Sequence, residues 1–338
     1  MKILKRIMIW LLAGIGVLVI GYLLGPQVQR PNLKMKWPKV SRDLIKLEKS
    51  LKAREAKVLN IRPDNHARII WADSIPKKTK YSLVYLHGWS ASQEEGDPIH
   101  RQTAYNYGMN LFLPRLAGHG LEEEEAMLEL TADKILASAK EAVAIAAQLG
   151  EKVIVMGTST GGTLGLQLAT ENKNIVALLL YSPNIEIYDS SSKLLSMPWG
   201  LQLAKLVKGG DYHEFDTDIE LKNQYWTTKY RLEALTHLQV LVDETMTPET
   251  FSKVEQPLFL GYYYKDEEHQ DNVVSVPAMQ NMFKMLGTTT DKKREIAFPN
   301  AGDHVMTSHI TSKDIESVQL ETNKFIEEVL GIEPRSIK

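Results

Sequence analysis

The sequence contains no cysteine. That excludes disulfides, thiolate metal sites and lipidation on cysteine, and it removes thiols as a guide to the redox compartment. Charge of one sign is also scarce in excess: 40 basic against 42 acidic residues leave a formal net charge of −2. Such a balance supplies no field for a polyanion. No basic stripe interleaved with aromatics is present either, so a nucleic-acid partner is not expected. Internal repeats and low-complexity tracts are missing, and the chain does not read as a repeat array. What remains is 338 residues with 43% hydrophobic content, enough to bury one large α/β core that carries an insertion.

One long apolar run is present, Ile7 to Leu24, with Lys2, Lys5 and Arg6 before it and Arg30, Lys34, Lys36 and Lys39 after it. Eighteen residues at ~1.5 Å each span roughly 27 Å, about one hydrocarbon core. A cleaved signal peptide has a shorter apolar region as a rule, and no Ala-x-Ala site follows Leu24. Residues 1–25 therefore read as an uncleaved membrane anchor. Lys5 and Arg6 abut the run while Arg30 is displaced, which favours a cytoplasmic N-terminus and an extracytoplasmic body. Residues 26–59 read as a proline-bearing extended tether, Gln27 to Val40, and a short amphipathic helix with Leu44, Leu47 and Leu51 on one face.

Beyond this point strands and helices alternate. Strands are expected at 67–72, 81–86, 110–113, 153–156 and 175–181, and a helix over 131–149 carries Ile135, Leu136, Ala139, Val143, Ala146 and Leu149 at helical spacing. Alternation of this kind implies right-handed crossovers and a mostly parallel sheet with helices on both faces. Residues 60–184 and 255–338 form that core. Between them, 185–254 carry Leu232, Leu235, Leu238 and Leu241 at helical spacing and several Trp and Tyr residues. A helical insertion here would lie over the carboxyl end of the sheet, where such folds bind ligands, and would act as a cap over an apolar pocket.

The stretch Lys152 to Leu166 organises the chain. Four apolar β-formers run into Gly157-x-Ser159-x-Gly161, and a helix pattern follows. The bare pentapeptide arises by accident in on the order of one chain in ten of this length; its strand-to-helix context makes it informative. A serine hydroxyl becomes a nucleophile only where a base reaches it and neighbours do not crowd it, and small residues at 157, 161 and 162 permit the sharp turn that lifts Ser159 clear. The backbone N–H of Thr160 would then point at a developing oxyanion.

A base must come from a histidine well beyond the turn: His213, His237, His269, His304 or His309. His304 is the best placed, in the loop Pro299-Asn300-Ala301-Gly302-Asp303-His304 after a strand at 294–298, and His309 is the fallback. The orienting acid should follow the strand beginning at Leu258. Asp271 is favoured, since an apolar anchor and a helix start lie behind it, and Asp266 is the alternate. A second oxyanion donor is expected at the N–H of Trp89, after Leu86-His87-Gly88. His87 and His119 read as structural loop histidines, and Glu122 to Glu125 as a solvated face.

Leu86-His87-Gly88, Pro114-x-x-x-Gly118-His119-Gly120, Gly157-x-Ser159-x-Gly161-Gly162, the acid loop near Asp271 and Gly302-Asp303-His304 together resemble the α/β-hydrolase fold. The nearest branch is the carboxylesterase and monoacylglycerol lipase-like group, which also resembles the serine aminopeptidases. The likeness covers about residues 60–332. It departs in a longer acid loop and in Thr158 and Thr160 beside the nucleophile, where bulkier residues are commoner. The resemblance implies hydrolysis of a carboxylic ester, with a small acyl ester or lipid-like molecule as substrate, by a Ser159, His304 and Asp271 triad without metal or cofactor. Peptide-bond cleavage and a non-catalytic, membrane-tethered binding module of the same fold are the alternatives.

Overall fold

The computed structural model describes residues 2–336. Helix α1 spans Lys2–Leu23. Among the described residues it is the one helix long and apolar enough to cross a membrane, with a mean hydropathy of 2.2 over Ile3–Leu23 and no part of it buried in protein. Helix α2, Leu44–Glu55, starts where the Asp43 carboxylate accepts the Lys46 N–H at 3.0 Å, and it buries Leu47 and Leu51.

The tether between these helices is extended but not free. Leu33, Met35 and Trp37 fall at alternate positions, so an extended chain presents all three to one side, and they pack against the core with Val28 and Val40. The buried Lys140 ammonium donates to the Met35 carbonyl at 2.8 Å and to Glu171 at 2.6 Å. The segment is a strap fastened to the body, which its proline content alone did not suggest.

The core follows as β1 (Arg68–Ile70), β2 (Thr79–Leu86), α3 (Ile99–Asn106), β3 (Asn110–Leu113), α4 (Ala132–Leu149), β4 (Gly150–Thr158), α5 (Thr160–Ala169) and β5 (Ile175–Tyr181). The insertion contributes α6 (Gly200–Lys208), β6 (Tyr212–Glu214), α7 (Glu220–Tyr225), β7 (Lys229–Arg231) and α8 (Leu232–Thr245). The chain then completes the core with α9 (Pro248–Lys253), β8 (Leu258–Tyr262), α10 (Val276–Met285), β9 (Lys293–Ala297) and α11 (Ile315–Glu328).

The strands lie in the order β1-β3-β2-β4-β5-β8-β9. All pairings are parallel except that of β1, which runs antiparallel on β3 at the edge. Central rows such as Val84, Val155 and Leu178 are buried throughout, as expected of a sheet covered on both sides. Helices α4 and α5 pack on β2 and β4, while α3 and α11 pack on each other, and Phe325 of α11 meets Phe259 of β8 with ring centroids 5.7 Å apart. From β2 the chain steps outward to β3 and then crosses back to β4. The loops after β2 and β4 therefore diverge at the carboxyl edge, which opens a crevice there.

The insertion is not wholly helical. Tyr212-His213-Glu214 and Lys229-Tyr230-Arg231 form a two-stranded antiparallel ribbon. Strands of three residues are too short to register against the helical periodicity around them. Helix α9 lies against α5 and α10, so the last turn of the expected cap belongs to the core layer.

Candidate active site

The turn from β4 into α5 holds Ser159 at φ 53° and ψ −122°. A positive φ is uncommon for a residue with a side chain and persists only where the surroundings fix it. Here the Ser159 N–H donates to the Tyr181 carbonyl at 3.0 Å, and its own carbonyl accepts from Gly162 at 2.9 Å and Asn184 at 3.0 Å. Gly161 is needed because a Cβ at that position would stand 1.8 Å from the Leu86 carbonyl oxygen. Thr160 is the first residue of α5, where a backbone N–H has no acceptor within the helix.

His304 and Asp271 meet although they are far apart in sequence. Their Nδ1 and Oδ2 atoms are 2.6 Å apart, and Asp271 Oδ1 accepts the N–H groups of Val273 at 2.9 Å and Val274 at 3.0 Å. Burial pushes the Asp271 carboxyl up, but His304 and the two amides outweigh it and hold the group below its ordinary range. Burial likewise pushes His304 down, and the adjacent Asp271 carboxylate reverses this and leaves the imidazole above its usual value. Asp266 has no part in that pair. It is half exposed on the acid loop and binds the His269 ring at 2.7 Å.

Ser159, Thr160, Trp89 and His304 line one cavity of about 700 Å³. Its remaining walls come largely from the cap and the acid loop, including Phe215, Trp226, Tyr230, Leu235, Leu238 and Val273. The sequence matches a model of the alpha/beta hydrolase family over residues 83–310. This chain belongs to that family. Similar solved structures include one of the metagenome-derived lipolytic enzymes LipS and LipT, at 16% identity, 79% coverage of this chain, 99% of that one and a TM-score of 0.64. A monoacylglycerol lipase from Paleococcus ferrophilus aligns at 11% identity over 78% of this chain and 98% of that chain, with a TM-score of 0.56. A lipase-esterase related protein from Clostridium acetobutylicum aligns at 14% identity over 77% and 99%, with a TM-score of 0.52. At such identities the likeness carries the fold and not the substrate. No curated protein matches the chain.

The hydrolase has a further buried carboxylate in this cavity that sequence reasoning missed. Glu95 Oε2 accepts the Gly88 N–H at 2.6 Å and the Tyr85 hydroxyl at 2.9 Å. It sits hard against the Ser159 turn: a Cβ on Gly88 would lie 2.5 Å from Glu95 Oε1 and 3.0 Å from Ser159 Cβ. Burial raises its pKa to about 7, against the pull of the Gly88 amide and the Tyr85 hydroxyl. Thr158, one of the departures from the family pattern, joins the same network. Its hydroxyl lies 3.0 Å from the Tyr85 hydroxyl, whose one proton goes to Glu95, and 3.2 Å from that of Thr307, and Thr307 donates to the Glu95 carbonyl at 2.8 Å. The serine turn, the histidine loop and the loop after β2 are thus tied by one set of hydroxyls.

The other histidines of the hydrolase lie elsewhere or have different partners. His87 Nε2 accepts the Leu116 N–H at 3.1 Å, and His119 Nδ1 is 2.7 Å from the Ala117 carbonyl; burial holds His87 well below its usual pKa and His119 at about 4. His309 is exposed and its Nδ1 lies 3.2 Å from the Asp97 carbonyl. His237 lies among cap and strap residues outside the cavity. His213, on β6, does line the cavity, packed 5.1 Å from Tyr230. Among the described residues one group could bring three ligand atoms to a metal ion, Glu94, Asp97 and His309, within 4.8 Å of one another. The Arg101 guanidinium already lies 2.8 Å from Asp97 Oδ1.

Proposed function

We propose that this hydrolase cleaves carboxylic esters through an acyl-enzyme formed on Ser159. His304, its Nδ1–H given to Asp271, takes the Ser159 proton on Nε2 as the hydroxyl attacks the carbonyl carbon. The N–H groups of Trp89 and Thr160 hold the oxyanion, and the imidazolium returns its proton to the leaving alcohol. Water then repeats the sequence on the acyl-enzyme and releases the acid. Asp271 keeps the imidazole in the useful tautomer and stabilises its charged form. The observation that carries this reading is that His304, paired with the buried Asp271, stands in the wall of the cavity that Ser159 also lines.

The aromatic and aliphatic cap residues over Ser159 suit an acyl chain, and α1 suits a single membrane span with the body on the extracytoplasmic side. Protease access to the body in intact spheroplasts tests that orientation, and full protection would contradict it. A peptidase reading draws on Glu95, Asp216 and Asp303, three carboxylates in the cavity wall that could meet a substrate ammonium; Lys222 stands in the same wall and offsets them. Turnover of p-nitrophenyl acyl esters with none of aminoacyl anilides supports the esterase. Replacing Ser159→Ala should lower ester kcat on the order of a million-fold, and activity near wild type would refute the assignment.

A further inference from the structure

The cap carries an apolar stripe that faces away from the protein. Trp199, Leu203, Leu206 and Val207 recur at intervals of four, three and one residues, which places them on one side of α6. They remain 44%, 41%, 79% and 75% exposed. Leu194 and Met197, just before the helix, extend the patch. The opposite side is conventional: Leu201 and Ala204 turn inward, and the Lys205 ammonium bridges Asp211 and Glu233, each at 2.7 Å.

The position of this stripe decides what covers it. The Trp199 indole N–H donates to the Gly21 carbonyl at 3.1 Å, in the last turn of α1, and the Trp199 backbone N–H donates to the Pro26 carbonyl at 2.9 Å. The chain is then fastened at intervals by Arg30 to Glu244 at 3.0 Å, by the Asn32 N–H to Asp133 at 2.6 Å, and by Met35 to Lys140. No slack is left between the end of the apolar helix and the cap. The patch therefore sits at the level where α1 ends, and tryptophan is the residue type enriched at that level of a bilayer.

We infer that α6 is a second membrane contact, with Trp199, Leu203, Leu206 and Val207 lying in the headgroup and acyl boundary of the bilayer that α1 spans. This rests on the reading of α1 as a retained anchor. A surface helix of this kind binds through buried apolar area, with its apolar face sunk about 5–10 Å below the headgroups. Lys208, exposed at the end of α6, has the long stem that lets a charge reach the headgroups. The consequence for function is a fixed approach. The ribbon that follows α6 supplies His213 to the cavity wall and Phe215 comes just after its first strand, so the same cap that touches lipid shapes the substrate site.

The absence of native cysteine makes the test direct. Single variants Leu206→Cys, Val17→Cys in α1 and Leu320→Cys on α11 of the full chain are labelled with an environment-sensitive fluorophore and reconstituted into phosphatidylcholine vesicles with and without doxyl-labelled acyl chains. The inference expects a blue-shifted label at 206 quenched several-fold more than that at 320. A label at 206 that matches 320 while that at 17 is quenched overturns the α6 contact and leaves the anchor standing. Loss of quenching at 17 removes the anchor and this inference together. A blue-shifted but unquenched label at 206 assigns the patch to protein, such as a second copy, and also overturns it. In a second arm, Leu206→Glu with Val207→Glu should slow hydrolysis of a vesicle-borne long-chain ester about ten-fold and leave a soluble short-chain ester unchanged. Equal rates on both substrates, each like wild type, would contradict the inference, whereas the ester reading itself stands or falls on the soluble substrate.

Discussion

Two buried carboxylates lie beside the same cavity, Asp271 after β8 and behind His304, Glu95 after β2 and in the wall itself, and their environments drive them in opposite directions. Asp271 is met by an imidazole and two backbone amides and stays ionised. Glu95 accepts from one amide and one tyrosine hydroxyl and feels His304 and Lys222 only at a distance, so burial prevails and carries it to about 7. Depth is similar in both; the partners decide. A pair of acids pushed apart in this way can serve two roles in one site, Asp271 as a fixed negative charge for His304 and Glu95 as a clamp on the turn that presents Trp89.

The largest way to break the comparison is Asp271→Asn. The amide keeps the volume but loses the charge and the tautomer control, so kcat should fall about ten-thousand-fold. The acid limb of kcat/KM should also move to lower pH, because the group that holds the His304 imidazole above its ordinary value is gone. Steady-state kinetics against pH checks both.

Glu95→Gln should have a smaller and opposite signature. Its side-chain oxygen can still accept the Gly88 N–H, but no charge can form beside the oxyanion site. Wild-type kcat/KM should fall several-fold as pH rises through about 7, where Glu95 ionises, and the variant should lose that fall. Stability follows the same sign. A carboxyl whose folded pKa lies above its unfolded value costs stability as pH rises from its ordinary 4.5 to about 7, on the order of 3 kcal/mol for a shift of this size. Denaturant titrations at pH 5 and pH 8 should show that decline in wild type and not in Glu95→Gln. Equal declines would remove Glu95 from the account. The smallest effect is expected of Asp266→Asn: kcat within about two-fold of wild type, since its partner is an exposed loop histidine. A loss approaching that of Asp271→Asn would exchange the two roles.

The parts of the site that were legible in the sequence are those built by local rules. A sharp strand-to-helix turn demands Gly157 and Gly161 around Ser159, so that turn stands out without any tertiary information; a helix start behind an acid favours Asp271 but leaves Asp266 open. The strand and helix alternation gave the sheet and its two covered faces for the same reason. Glu95 was hidden because Gln93-Glu94-Glu95 reads as ordinary solvated loop; the small residues Ser90, Ala91 and Ser92 before it were the one local sign that the loop turns inward. The strap was hidden because its partners, Asp133 and Lys140, lie more than a hundred residues away. The cap ribbon was hidden by its length. Long-range pairing and three-residue strands leave little local periodicity to read.

The claim on which these comparisons depend is that Ser159 is the nucleophile. Incubating the full-length protein with a fluorophosphonate and mapping the adduct by peptide mass spectrometry tests it most directly. One adduct per chain is expected, on Ser159, slowed strongly by Asp271→Asn and unaffected by Asp266→Asn. An adduct on any other residue, or an unmodified Ser159 in protein shown to be folded, would contradict the account.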